Sequence, residues 1–241
     1  MPERIRIVPE KAERKALQSG LQALNENMIT LADLSELAIR KAVDGLTRLD
    51  AEVADEVFLL DGEIYALQIE IEKNCIDLIA LHAPVARDLR TITTSLKITT
   101  DFDRIGRYAK DISEITLQFR GKEPNHLRNL GSIPEMTELA IRLVDKAIRA
   151  FVARDAASVR NIQEDDDAVD LLEDRAFQEL VDKMKAATLD IEIGARYILV
   201  TRYLERIADH AVNIGQRVVY MVTGERMPRV RAAERANGSR P

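Results

Sequence analysis

Several residue types are scarce in this chain of 241 residues, and each shortage narrows the class of protein. Tryptophan is absent, aromatic residues make up 4% and there are 10 glycines. The apolar volume must therefore come from aliphatic side chains, as in helix-on-helix packing. The one cysteine, Cys75, cannot form an internal disulfide and falls on an apolar helical seam, which favours a small buried side chain in a reducing compartment. These features favour an all-α fold.

Long apolar runs and a surplus of positive charge are missing as well. No stretch approaches the roughly 18 uncharged apolar residues that a membrane span needs. The first residues (MPERIRIVPEK) lack the apolar core of a signal peptide, so we expect a cytoplasmic protein that does not insert into a membrane. The net charge of −6 argues against a nucleic-acid partner, because phosphate binding needs an excess of Lys and Arg on one face.

Leu, Ile, Val and Ala recur in alternating steps of four and three residues, which is the pattern of a helix buried along one seam. The pattern predicts six helices, at about residues 17–50, 53–78, 84–117, 132–153, 159–187 and 190–221. We expect aspartate or threonine caps before the second, fifth and sixth helices, namely Asp50, Asp155, and Thr188 or Asp190. Pro84 is predicted in the first turn of the third helix, and Ser132 and Glu135 form a capping-box signal for the fourth. Gly224 and Pro228 should end the sixth.

The two halves of the chain are similar in sequence. FDRIGRYAKDI at 102–112 aligns with LERIADHAVNI at 204–214, and VFLLDGEIYAL at 57–67 aligns more weakly with IQEDDDAVDLL at 162–172. Such self-similarity indicates a duplicated unit, here a bundle of three helices. The predicted organisation is a first repeat at 10–120, a linker at 121–131, a second repeat at 132–224 and a basic, disordered tail at 225–241.

Four acidic residues fall on helix faces that should be packed in the second repeat. Glu205 and Asp209 lie one turn apart on the sixth helix, and Asn213 continues their row by another turn. Asp166 interrupts the apolar run of the fifth helix, and Asp170 follows one turn later. A buried carboxylate is costly unless it is protonated, paired with Lys or Arg, or bound to a metal ion.

We interpret these acids as an oxygen-ligated metal site, suited to iron, manganese, magnesium or calcium. Two inward-facing pairs on neighbouring helices favour this interpretation over chance. Arg206 lies one position off the acidic row, and we expect it to point elsewhere. The alternative is that the seam is open at one end, with the acids in water and paired to Lys or Arg of the fourth helix.

The first repeat keeps only part of this pattern. Asp61 and Asp103 stand where the first acid of each pair is expected, whereas Tyr65 and Arg107 replace the second acids. Arg107 is one turn from both Asp103 and Asp111, so its guanidinium can act as an internal counter-ion. The first site is therefore predicted to be degenerate.

None of the three histidines is a strong candidate for chemistry. His126 falls in the predicted linker and His82 at a helix junction, while His210 is about 100° around its helix from Asp209. The sequence also has no phosphate-binding GxxxxGK[ST] loop. No nucleophile or general base can be assigned.

Three stretches resemble the repeated signature of the PhoU family: LERIADHAVNI, DFDRIGRYAKDI at 101–112, and PVARDLRTITTSLKI at 84–98. The likeness covers roughly residues 10–224. It implies two three-helix bundles, a homodimer, and metal bound at E(D)xxxD motifs. It further implies a regulator that connects a phosphate ABC transporter ATPase with a sensor histidine kinase and damps the phosphate-starvation response.

Carried over by position, the metal motif of the family matches residues of both repeats: Asp166, Asp170, Glu205, Asp209 and Asn213 in the second, and Asp61, Asp103 and Asp111 in the first. Tyr65 and Arg107 depart from it. The leading hypothesis is a non-enzymatic adaptor. The alternatives are a carboxylate-bridged metalloenzyme and a divergent helical scaffold with other partners.

Overall fold

The protein is described here by a computed structural model, which covers residues 11–119 and 131–227. This part of the chain contains six α-helices: α1 Lys11–Arg48, α2 Ala51–His82, α3 Ala86–Gln118, α4 Ser132–Ala153, α5 Ile162–Lys185 and α6 Ile191–Thr223. The predicted all-α class and the three helices per repeat are confirmed. Residues 120–130 and 228–241, which hold most of the predicted linker, His126 and most of the tail, lie outside the described residues.

Two aspartates cap helices as predicted. Asp50 accepts hydrogen bonds from the backbone N–H groups of Glu52 and Val53, at 2.9 and 3.2 Å, at the start of α2. Asp190 makes the same pair of contacts at the start of α6. Gly224 follows α6 with a φ of 79°, the left-handed conformation that favours glycine.

Two of the predicted helix starts and one predicted cap are wrong. Ala83 takes a left-handed conformation that ends α2, so Pro84 lies in the connection and α3 begins at Ala86. Ser132 is already helical and Gly131 precedes it as the cap, so the capping box does not form. Asp155 accepts from the N–H groups of Ala157 and Ser158. Such a local turn competes with the helix, and α5 begins later, at Ile162.

Each repeat forms a bundle, and the two bundles share one core. Helices α1, α2 and α3 pack on one another, as do α4, α5 and α6, while α3 packs on α6 and α1 on α4. One cluster of buried apolar side chains runs through both halves. Cys75 is fully buried within it, as predicted, and burial raises the pKa of its thiol to about 12. In the described ranges, no helix is both long and apolar enough to cross a membrane.

The cap at Asp50 gives a test of the helix boundaries. We expect Asp50→Ala to lower the free energy of unfolding by about 1 kcal/mol, because two N–H groups of α2 lose their acceptor. Asp50→Ser should keep most of the stability, since its hydroxyl can accept the same bonds. Urea unfolding followed by circular dichroism measures the difference. Equal losses for the two variants would show that the side-chain oxygen is not what matters.

Candidate functional site

The predicted acids of the second repeat lie on α5 and α6, which pack together. Asp166 and Glu205 are buried, and Asp170 and Asp209 are half-buried. Asn213 is exposed and lines an open cleft between α3 and α6 together with Lys97 and Arg217. The amide therefore belongs to a basic surface, which the sequence did not reveal.

Two arginines of α6 pair with the acidic row. Arg202 lies 3.2 Å from Glu205 Oε1 and also pairs with Glu173 of α5, at 3.3 Å. Arg206 lies 3.6 Å from Glu205 Oε2 and 3.3 Å from Asp209 Oδ2. The expectation that Arg206 points elsewhere is therefore wrong. Residues three apart are neighbours on a helix surface, and the long arginine side chain reaches across to them.

Glu205 has a raised pKa despite these arginines. The pKa of its carboxyl is raised from 4.5 to about 7: burial is the largest cause, the charge of Asp209 adds to it, and Arg202 and Arg206 oppose it. Its Oε2 atom is buried and accepts no hydrogen bond. The arginines are nearly half-exposed, so water screens their charges and they do not compensate the burial of the carboxylate.

Among the residues that the structure describes, the acids of α5 and α6 do not form a closed cluster. On α5, Asp166 Oδ2 accepts a hydrogen bond from Gln163 Nε2, at 3.0 Å. Within residues 11–119 and 131–227, no three side chains of His, Cys, Asp or Glu are grouped so that they could hold a metal ion. The oxygen atoms of these acids suit a cation that prefers oxygen ligands, but in this arrangement the acids do not surround a common point where a cation could bind.

The first repeat neutralises its acids with cations from α3. Arg107 Nε lies 3.1 Å from Asp103 Oδ2, so the predicted pairing of these two residues is confirmed. Lys110 Nζ lies 3.2 Å from Asp61 Oδ2 across the α2 and α3 contact, a pairing that the sequence analysis missed. Tyr65 is exposed on α2.

Asp111 is half-buried on α3, and the pKa of its carboxyl is raised. Burial raises its pKa, the charge of Glu114 adds to that effect, and Lys110 lowers it. Asp111 is thus a second carboxylate that the fold makes difficult to ionise, on the first-repeat side of the α3 and α6 seam.

The buried carboxylate of Asp101 joins the two repeats, and one of its partners is a histidine that the sequence analysis set aside. His210 Nδ1 of α6 lies 2.9 Å from Asp101 Oδ1 of α3, and Arg217 lies 3.3 Å from Asp101 Oδ2. Asp101 is 5% exposed. Elsewhere on the same seam, the rings of Tyr108 and Tyr203 stack with centroids 5.8 Å apart.

The internal repeat relates these two contacts. With the offset of 102 residues, Asp101 corresponds to Tyr203 and Tyr108 corresponds to His210. The pair formed by Asp101 and His210 and the pair formed by Tyr203 and Tyr108 therefore occupy equivalent places on either side of a pseudo-symmetric seam. The internal alignment alone could have predicted this equivalence only if the packing of α3 on α6 had been known.

The pKa of Glu205 predicts a pH dependence of stability. The folded pKa, about 7, lies above the ordinary 4.5, so stability associated with the protonated form is fully present below about pH 4.5 and is lost as the pH rises through 7. With chelator present, Glu205→Gln should therefore be more stable than wild type at pH 8, by roughly 3 kcal/mol at most. At pH 5 the two should be similar.

Urea unfolding between pH 5 and 8, followed by circular dichroism, measures this effect. The exposed Glu63 of α2 provides the control variant Glu63→Gln, which should follow wild type at every pH. Parallel curves for wild type and Glu205→Gln would contradict the elevated pKa.

Comparisons with known proteins agree with this architecture. The family model of the PhoU domain matches residues 28–116 and again residues 133–218. The chain is 30% identical over 215 residues to a protein of Clostridium acetobutylicum named phosphate-specific transport system accessory protein PhoU homolog, covering 89% of this chain and 97% of that one. It is 33% identical over 213 residues to PhoU homolog 1 of Mycobacterium tuberculosis, covering 88% and 95%.

Solved structures give the same result in three dimensions. The crystal structure of PhoU from Pseudomonas aeruginosa superposes with a TM-score of 0.79 at 28% identity and covers 86% of this chain and 99% of that one. The phosphate transport system regulatory protein PhoU of Streptococcus pneumoniae superposes with a TM-score of 0.80 at 26% identity, covering 88% and 99%. Because the family model matches both three-helix repeats, the chain belongs to the PhoU family.

Proposed function

We propose that this chain is a non-enzymatic regulator of phosphate uptake and phosphate-starvation signalling. It acts in the cytoplasm, as a homodimer, by joining a phosphate ABC transporter ATPase to a sensor histidine kinase. The observation that carries the proposal is the match of the PhoU domain to both repeats, together with relatives named as accessory proteins of phosphate-specific transport. The arginine-paired carboxylates of α6 are consistent with a contact-based role rather than with turnover.

Deletion in the source organism tests this proposal. At high phosphate, loss of the protein should raise phosphate uptake and the expression of phosphate-starvation genes several-fold, because the restraint on the kinase is removed. Quantitative RNA measurements and uptake of labelled phosphate are the readouts. The wild-type gene should restore both, and removal of the kinase as well should abolish the rise in expression. Unchanged uptake and expression in the deletion strain would contradict the proposal.

We also propose that the second repeat binds an oxygen-ligated cation, such as iron, manganese, magnesium or calcium, through residues of α5 and α6: Asp166, Asp170, Glu205, Asp209 and, at the exposed end of the row, Asn213. Binding requires Arg202 and Arg206 to leave Glu205 and Asp209. Both guanidinium groups are nearly half-exposed and can turn into water at small cost. Arginine and metal thus compete for the same carboxylates.

Metal content should differ between the repeats. We expect Glu205→Ala to lower the metal bound per chain sharply, because it removes the most buried donor of α6. The matched variant Asp103→Ala should leave it almost unchanged, since Arg107 already neutralises Asp103. Arg107→Asp should create binding capacity in the first repeat, although Tyr65 limits the number of donors there.

The measurement is elemental analysis of protein purified without chelator or affinity metal. Equal losses from Glu205→Ala and Asp103→Ala would show that the two sites are equivalent and that Arg107 is not an internal counter-ion. Turnover of phosphoesters by the metal-loaded protein, abolished by Glu205→Ala, would favour the metalloenzyme alternative over the regulatory role.

A further inference from the structure

The side of α2 that faces away from the core carries a row of mostly apolar residues. Their spacing alternates between three and four, and all seven are exposed: Leu59, Gly62, Ala66, Ile69, Lys73, Ile76 and Ala80. The large members Leu59, Ile69 and Ile76 are 70%, 49% and 59% exposed. We call this set the outer row of α2.

The fold does not require these residues to be apolar. The core side of α2, which includes the fully buried Ile64 and Ile71, is on the opposite face of the helix. In the second repeat, the alignment of 57–67 with 162–172 places a mostly polar set at the same positions of α5: Glu164, Asp167, Leu171, Asp174, Gln178, Val181 and Lys185. Helix α5 takes the equivalent place in the second repeat with mostly polar residues at these positions. Packing within the repeat therefore does not explain why the outer row of α2 is apolar.

The geometry of the row suits a single helix as its partner. Steps of three and four residues form the seam of a coiled coil, and from Leu59 to Ala80 the row extends about 32 Å along the axis at 1.5 Å per residue. Gly62, Ala66 and Ala80 leave room for large side chains of a partner, while Leu59, Ile69 and Ile76 provide apolar contact. A helix of about 20 residues would cover it.

The charges beside the outer row of α2 determine which kind of helix can bind there. One flank carries an acidic residue in every heptad, and all four are exposed: Glu56, Glu63, Glu70 and Asp77. Glu56 already pairs with Lys41 of α1. In an antiparallel pair of two α2 helices this flank would face its own copy, and like charges would repel. The complementary partner is a helix with Lys or Arg along one flank.

We propose that the outer row of α2 is the docking site for a basic amphipathic helix of a partner protein. This inference rests on the proposed function and deepens it, because a regulator that acts through protein contacts needs a surface of this kind.

Two synthetic 22-residue helical peptides test the site with the full-length protein. Both carry Leu at the heptad a and d positions, and the flanking e and g positions are Lys in one peptide and Glu in the other. By fluorescence anisotropy, the Lys peptide should bind wild type at least tenfold more tightly than the Glu peptide does. The double variant Ile69→Glu/Ile76→Glu should weaken the Lys peptide at least tenfold. The control Leu171→Glu, at the position of α5 that corresponds to Ala66 of the outer row, should leave it unchanged within twofold.

Both variants change exposed residues, and circular dichroism should show unaltered helix content and melting. Absence of Lys-peptide binding, equal binding of both peptides, or equal binding to the double variant would overturn the proposal. So would a wild-type dimer in sedimentation that the double variant converts to a monomer, because a second copy would then cover the row.

A cellular measurement separates this inference from the proposed function. In the source organism, the double variant should reproduce the deletion phenotype, while Leu171→Glu should complement fully. If the deletion itself has no effect on phosphate uptake, the proposed function fails, and the peptide measurement still decides whether the outer row is a docking site. If the deletion has an effect and the double variant complements it fully, the docking proposal fails alone.

Discussion

The contact between α3 and α6 holds the two repeats in one molecule, because each of these helices packs inside its own bundle and also against the other. The contact contains a nearly buried carboxylate, Asp101, whose partners His210 and Arg217 come from the opposite repeat. If the repeats slid by one turn, Asp101 would lose both partners and remain buried without a counter-charge, which is costly. The seam therefore has one favoured register.

The same cost of burying a carboxylate explains how the repeats have diverged. In the first repeat, Arg107 and Lys110 of α3 each approach an acid to within 3.2 Å. In the second, Arg202 and Arg206 approach Glu205, but burial and the neighbouring charge of Asp209 outweigh them and raise the pKa of Glu205 to about 7. Glu205 of the second repeat is thus close to a change of charge at neutral pH.

A different contrast separates the outer faces of α2 and α5. Both helices bury equivalent positions, as Val57 and Ile162 illustrate. Outside, Ile69 of α2 stands where α5 has Asp174. The two repeats share one architecture, so each can be compared with the other. A residue pattern that is present in only one repeat is not required by that shared architecture. The inner faces of the two repeats therefore reflect the packing that both share, and the differences between their outer faces reflect function.

The sequence by itself determined the six helices, the duplication, the burial of Cys75 and the pairing of Arg107 with Asp103, because periodicity and spacing of one turn are local properties of a helix. It did not determine the starts of α3 and α5, where the left-handed Ala83 and the turn at Asp155 overrode local signals. Only the tertiary structure decided that Arg206 folds back onto Glu205 and Asp209, and that His210 meets Asp101 from the other repeat. The direction of a long side chain and the partner across a seam depend on how helices dock, and no spacing along one chain records that.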